Sequence, residues 1–273
     1  MTLSIYGSRG FVGGNFNRLF PGHSLIYRED REPETQDILY FISTTHNYHV
    51  YEDVTLDVET NLKVLCEVLD KCRERGPMTF NFISSWFVYG KTNELPVTEN
   101  SLCNPTGFYS ITKKCAEDLL ISFCKTYSIN YRILRLCNVL GPGDKGVSKK
   151  KNAITWMINN LKEGNAVNLY DNGTPIRDVM HVEDVCRAID LVCREGDLNQ
   201  IYNIGSGVPT RLCDIIELAK KELNSSSEIN YIDPPEFHKN VQNKDFWMNV
   251  DKLHSLGFEP KHSLEHIIKD LCR

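Results

Sequence analysis

Short apolar runs alternate with stretches of helical period through the first half of the chain. Residues 3–6, 24–27, 37–43, 78–84 and 131–138 read as strands. The run at 37–43, Asp-Ile-Leu-Tyr-Phe-Ile-Ser, is almost wholly apolar, as suits a parallel strand buried on both faces. Residues 57–75 place Val58, Leu62, Leu65, Val68 and Leu69 at helical spacing, and 106–127 gather Ala116, Leu119, Leu120 and Phe123 on one helix face. A shorter helix is expected at 15–20. Such alternation predicts an α/β fold with a doubly wound parallel sheet over residues 1–145. Beyond that the elements are shorter and mixed. Helices are expected at 153–162, 181–194, 213–223 and 264–271, the last capped by Ser263, with strands at 167–170 and 229–232. Residues 146–273 therefore read mainly as a smaller substrate-binding lobe, interleaved with the sheet and laid over its C-terminal edge. No internal repeat or low-complexity segment interrupts this pattern.

Composition narrows the class. With 273 residues, 41% of them hydrophobic, the chain can bury a sizeable core. A net charge of −5 gives no general case for nucleic-acid binding. One basic run, Lys145 to Lys151, reads as a solvated loop. No apolar run approaches the roughly 18 residues of a membrane span, and no leader is visible at the N-terminus. The ten cysteines are scattered without a C-x-x-C pair, which suits reduced, buried thiols. A cytoplasmic protein without membrane contact is expected.

The candidate chemistry lies at residues 81–113. Ser85 ends an apolar strand, and Tyr109 and Lys113 open the following helix at i and i+4, on one face. A free phenol, with a pKa of about 10, is a poor base at neutral pH. A neighbouring ammonium would lower that value and let the phenol exchange a proton with a substrate hydroxyl or carbonyl. Ser85 could hydrogen-bond the same oxygen. At the N-terminus a strand leads into Gly7-Ser8-Arg9-Gly10-Phe11-Val12-Gly13 and then a helix. Glycines there let the backbone approach a pyrophosphate, and the helix N-terminus supplies N–H donors. The spacing departs from G-x-G-x-x-G, so the turn gains weight from its partnership with Ser85, Tyr109 and Lys113.

With these motifs the chain resembles the extended short-chain dehydrogenase/reductases, specifically the NAD-dependent epimerase/dehydratase family acting on nucleotide sugars. The resemblance rests on Gly7-x-x-Gly10-x-x-Gly13, Asn61, Ser84-Ser85-x-x-Val88-Tyr89-Gly90 and Tyr109-x-x-x-Lys113. It continues through Leu134-Arg135-x-x-Asn138-Val139-x-Gly141-Pro142, Arg177-Asp178-x-x-His181-Val182-x-Asp184-Val185 and Tyr202-Asn203-Ile204-Gly205. Asp251-Lys252-Leu253 and Leu256-Gly257-Phe258-x-Pro260 complete it. It implies a Rossmann-type domain and an NAD(P)-dependent nucleotide-sugar epimerase or 4-keto reductase, with Ser85, Tyr109 and Lys113 catalytic. Cofactor contacts are implied for Gly7, Ser8, Arg9, Gly10, Phe11, Val12, Gly13, Arg28, Ser43, Asn61, Tyr109 and Lys113. Substrate contacts are implied for Ser85, Trp86, Phe87, Asn138 and Arg177. Arg177 suits a diphosphate because its fork pairs with phosphate oxygens. A homodimer is expected, paired through the helices at 57–75 and 106–127, with Cys66, Leu69, Ile121 and Cys124 on their outer faces. The alternative is a non-catalytic dinucleotide sensor on the same fold, which would typically lack the Tyr/Lys pair.

Departures from the family pattern refine this. Trp86 and Phe87 stand where dehydratases and decarboxylases carry an acidic residue, which argues against 4,6-dehydration. Only about nine residues separate the second and third strands, so the sheet should be shorter and the adenine side of the cofactor more open. Residues 234–250 lack the arginine that often grips the second phosphate, and Lys239 or Lys244 is the expected substitute. Arg9 and Arg28 could hold a 2′-phosphate, whereas Glu29 could hold a 2′-hydroxyl; NADP is favoured, with NAD possible. His262-x-x-Glu265-His266 matches an inverted zinc-protease motif. The apolar stripe Leu264, Ile267, Ile268 and Leu271 puts these histidines on the solvent side, with no third ligand in view, so no metal is expected. His181 reads as a structural residue at a helix start.

Overall fold

The computed structural model describes residues 1–92, 94–242 and 244–273. Its centre is a six-stranded parallel sheet built from β1 (Leu3–Tyr6), β2 (Ser24–Ile26), β3 (Asp37–Tyr40), β4 (Thr79–Ser85), β5 (Asn130–Leu136) and β6 (Gln200–Ile204). The strand order is β6-β5-β4-β3-β1-β2. The C-terminal half thus returns a strand to the sheet, pairing Tyr202 with Leu134. Alternation along each strand sends side chains to opposite faces. Leu3, Ile5 and Leu39 enter one core layer, whereas Tyr6, Ile38 and Tyr40 enter the other.

Helices cover both faces. On one lie α1 (Phe11–Leu19) and the later helix Val182–Glu195; on the other lie α2, at residues 56–72, and α3 (Phe108–Tyr127). The expected helix at 57–75 changes register on its way. Glu59–Lys63 forms a π turn between the α-helical segments Leu56–Val58 and Val64–Cys72. Helix α3 starts at Phe108, later than the pattern suggests, because Gly107 sits at its N-cap. There the Ser110 amide donates to Asn47 Oδ1 (3.1 Å), and the Gly107 amide donates to Ser110 Oγ (3.0 Å). Leu119 points outward, unlike Ala116 and Leu120.

The run at 37–43 stops being a strand at Tyr40, and residues 41–46 form a loop over the sheet's C-terminal edge. The short link between β2 and β3 is held by Ser4, whose Oγ accepts the amides of Glu34 (2.9 Å) and Thr35 (2.8 Å). Strand β2 is consequently the edge of the sheet. A third core, apart from the two sheet layers, gathers Ile154, Ile158, Leu161, Leu169, Ile215 and Ile268. No helix among the described residues is long and apolar enough to cross a membrane.

Candidate active site

The C-terminal end of β4 and the first turn of α3 bring Ser85 and Tyr109 together. Tyr109 is buried, and the hydroxyls of Ser85 and Ser43 lie beside its phenol. Burial pushes the phenol above the usual tyrosine value, and those two hydroxyls pull against it. This reverses the direction expected from the Tyr/Lys spacing. Lys113 shares the helix face, but its Nζ donates to the Ile83 carbonyl (2.7 Å) and rests 4.1 Å from the Phe82 ring centroid. Burial lowers the Lys113 amine to about 7, against the opposing charge of Glu117. One turn on, Glu117 receives Ser84 Oγ (2.6 Å) and a bidentate pair from Arg135 (3.0 and 2.7 Å). That buried network ties α3 to β4 and β5 directly behind the Ser85–Tyr109–Lys113 set.

Asn61, expected to touch the cofactor, has no polar capacity left for it. Its Oδ1 accepts from Ser43 Oγ (3.1 Å) and the Thr44 amide (2.8 Å). Its Nδ2 donates to Thr44 Oγ1 (2.8 Å) and Thr112 Oγ1 (2.9 Å). Both lone pairs and both N–H bonds are thus used. The π turn turns Asn61 inward, so the residue fixes the loop after β3 against α3 and positions Ser43.

The glycine turn opens on a groove of about 550 Å³ lined by Arg9, Gly10, Phe11 and Asn15 on one side and Pro142, Gly143, Lys145 and Lys151 on the other. A Cβ on Gly13 would lie 2.5 Å from the Gly7 carbonyl oxygen, so this close turn-to-helix packing admits only glycine. Ser8 and Val12 are half-buried in the same turn. A narrow glycine turn feeding a helix N-terminus suits a pyrophosphate, and a buried Lys113 with one acceptor for three N–H bonds suits a ribose. These residues fit a nicotinamide dinucleotide. At the end of β2, the Arg9 guanidinium lies 5.2 Å from the Tyr27 ring centroid, and Arg28 is exposed.

A second cavity, of about 370 Å³, is lined by Trp86, Phe87, Asn138 and Arg177, with Trp156, Tyr170 and Leu212 also in its wall. Phe87 links it to the catalytic set: its ring meets that of Tyr109 edge-on at 5.8 Å, and its amide donates to Ser85 Oγ (3.3 Å). Asn138 Nδ2 is held by the Asp178 carbonyl (3.0 Å). Arg177 Nη1 donates to the carbonyls of Ile176 (2.7 Å) and Lys244 (2.6 Å), and burial lowers its pKa to about 10. Asp178 does not pair with it. The Asp178 carboxylate faces inward to the amides of Ser206 (2.8 Å), Gly207 (3.1 Å) and Met248 (3.2 Å).

Lys239 is misplaced by the sequence. It is exposed on the short helix Glu236–Val241, outside the residues lining the cavity, and Lys244 is exposed too. The lysines that do line it, beside Arg177, are Lys149 and Lys150. They belong to the basic run at 145–151 read as a solvated loop, and that run was the available signal. Thr45, His46, Tyr48 and His238 also line the cavity without having stood out in the sequence.

The histidine motif gains the third neighbour that the sequence did not reveal. His181 stacks on His262, with ring centroids 4.1 Å apart, and Glu183 is close to both. His262 is partly enclosed and not on the solvent side, its side chain being 17% exposed. One ligand atom from each of His181, Glu183 and His262 lies within 4.8 Å of the others. His181 Nδ1 also accepts the Glu183 amide (3.2 Å), as a helix cap. The cluster packs the C-terminal segment onto Asp184, which accepts the amides of Lys261 and His262 (2.9 Å each).

A parallel sheet, a glycine turn at the first strand and a Ser/Tyr/Lys set at the fourth define a short-chain dehydrogenase/reductase. The sequence profile of the NAD dependent epimerase/dehydratase family matches residues 36–205, and the chain belongs to that family. The chain is 28% identical to the low-salt glycan biosynthesis protein Agl12 of Haloferax volcanii, over 97% of this chain and 85% of that one. It is 27% identical to a putative UDP-glucose 4-epimerase of Methanocaldococcus jannaschii, over 94% and 85% of the two chains. Its fold matches the UDP-glucose 4-epimerase of Thermotoga maritima, solved with UDP-glucose, at a TM-score of 0.89 and 23% identity, covering 99% and 97% of the chains. It also matches RMD from Pseudomonas aeruginosa, complexed with NADPH, at 0.85 and 22% identity over 99% and 97%.

Proposed function

We propose that this protein is an NAD(P)-dependent nucleotide-sugar epimerase or 4-keto reductase. The observation that carries the reading is the convergence of Ser85, Tyr109 and Phe87, the last of which also lines a cavity holding Arg177. Tyr109 exchanges a proton with the oxygen on the reacting sugar carbon, and Ser85 orients that oxygen. Lys113 reaches the cofactor ribose and, once engaged there, offsets charge on the phenol. Asn138 and Arg177 hold the nucleotide diphosphate, with Lys149 in the place expected of Lys239. A bound nicotinamide dinucleotide supplies or accepts hydride at the sugar carbon. Neither Trp86 nor Phe87 can act as an acid, so nucleotide-linked glucose should yield no 4-keto-6-deoxy product; loss of water seen by mass spectrometry would contradict this.

The test is Tyr109→Phe. It should lower turnover of the true substrate by about 10² to 10⁴ while leaving dinucleotide affinity nearly intact, since general acid–base catalysis contributes on that scale. Unchanged turnover would remove Tyr109 from the mechanism. Dinucleotide binding with no turnover of any nucleotide sugar would identify a sensor instead.

NADP is the preferred cofactor in this reading. Arg9 packs against Tyr27 at the end of β2, and the next residue, Arg28, is exposed, so two arginines are available to a 2′-phosphate there. Calorimetry should show tighter binding of NADP than NAD, and Arg28→Ala should erase the difference. Equal or better affinity for NAD in the wild type would put Glu29 on the ribose. The protein acts as a homodimer in the cytoplasm, where its free thiols are stable.

A further inference from the structure

The wall next to Tyr109 carries information about the sugar itself. Phe87 touches both catalytic groups: its amide donates to Ser85 Oγ (3.3 Å) and its ring stands edge-on to Tyr109 at 5.8 Å. It also lines the substrate cavity, in which neither Ser85 nor Tyr109 is a lining residue, so Phe87 is the side chain that joins the cavity to the catalytic pair. Trp86 holds that ring from behind, with centroids 4.1 Å apart, and is itself seated on Phe246 at 4.7 Å. The aromatic wall is therefore fixed. The histidines that share the cavity, His46 and His238, are lowered by burial to about 4 and are uncharged at neutral pH. Arg177 lies 6.0 Å from the Trp86 ring centroid, with Nη1 committed to two backbone carbonyls.

We infer that the sugar accepted here is a 6-deoxyhexose, carrying a methyl group where most hexoses carry a hydroxymethyl or a carboxylate. This rests on the nucleotide-sugar reading above, with reaction at C4. The ring carbons flanking C4 are C3, which bears a hydroxyl, and C5, which bears C6. Of the two substituents, only C6 occurs as an unsubstituted methyl. A methyl group fills an aromatic wall without loss, whereas a hydroxyl pressed against it gives up a water hydrogen bond with no replacement. An apolar pocket rejects an added hydroxyl by up to about 10²-fold. A separate reaction must then supply the substrate by removing the C6 hydroxyl, because the residues that follow Ser85, Trp86 and Phe87, are not acids. If the sugar arrives as its 4-ketone, reduction balances with a nicotinamide dinucleotide as reductant: hydride adds to C4 and Tyr109 gives its proton to the carbonyl oxygen.

Binding tests this without turnover. Calorimetry on the purified protein compares UDP-glucose with UDP-6-deoxyglucose, dTDP-glucose with dTDP-6-deoxyglucose, GDP-mannose with GDP-rhamnose, and UDP-glucuronate alone. In whichever nucleotide series binds, the 6-deoxy sugar should bind about 10- to 100-fold more tightly. Phe87→Asn, at a half-buried position, should bring the pair within about threefold by improving the hexose, at some cost in thermal midpoint from the lost ring packing. Equal or tighter binding of the hexose or the uronate overturns this inference and leaves the nucleotide-sugar reading standing. So does a ratio that Phe87→Asn does not move. Failure of every nucleotide sugar to bind overturns both.

Discussion

Lys113 shows what burial does to a single functional side chain. Its ammonium has one carbonyl acceptor and lies under an aromatic ring, and its pKa falls to about 7. In the unfolded chain the same amine titrates near 10.4. Between those values the unfolded state binds more protons, so this group's contribution to stability rises with pH across the window. Below pH 7 the folded protein carries the whole cost of burying the charge. Lys113→Met should therefore stabilise the dinucleotide-free protein more at pH 6 than at pH 9.5, while weakening dinucleotide binding at both. Urea unfolding at the two pH values decides it, and an equal gain at both would mean that Lys113 titrates like an exposed lysine. Ser85, Tyr109 and Lys113 stood out in the sequence because their chemistry needs those residue types at those spacings, and Arg177 stood out only through the family resemblance. The direction of the Tyr109 shift was not legible there, because it depends on burial by residues distant in the chain. Lys149 was overlooked for the opposite reason: a run of lysines looks the same whether it faces solvent or a cavity.

At the level of elements, the site is held by buried polar joints between helix and strand. Glu117 and Arg135 have side chains only 1% and 3% exposed, and together they fasten α3 to β5 beneath Ser84. Removing one member strands the other charge, which typically costs about 3–5 kcal/mol. Arg135→Met should lose stability on that scale in denaturant unfolding, and Glu117→Met in the same chain should recover much of it. A loss below about 1 kcal/mol from the single change would show that water or a neighbour takes over the carboxylate. Parallel strands announce themselves as apolar runs, and α3 and Leu264–Cys272 as amphipathic periods. The π turn at Glu59–Lys63 does not, because one extra residue in a turn hardly disturbs the apolar period, yet it is what turns Asn61 inward. Likewise the sequence showed His262 and His266 but not their neighbour His181, which arrives from the end of a distant strand.

For the whole molecule, the homodimer proposed above would pair through the face formed by α2 and α3. The outer positions expected there were Cys66, Leu69, Ile121 and Cys124. The structure turns Leu69 and Cys124 into the core and leaves Ile121 half-buried against it. Cys66 does face outward, and its company is Leu119, Phe123 and Tyr127, with Asp70 and Arg73 at the border, around a shallow groove. Leu119 and Tyr127 are 38% and 43% exposed, an arrangement that costs solubility unless another surface covers it. Two-fold pairing of α2 and α3 with their copies would bury these side chains in a four-helix contact, and isologous dimers are the commonest soluble assembly. Asp70 and Arg73 at the rim could then cross-pair between copies and fix the register. Light scattering at micromolar concentration should give twice the chain mass. Leu119→Glu faces solvent in the single chain, so it should leave the fold intact and halve that mass by setting like charges against each other across the axis. A monomeric mass for the wild type would reject the dimer. A dimeric mass for Leu119→Glu, with unchanged concentration dependence, would place the interface on another face.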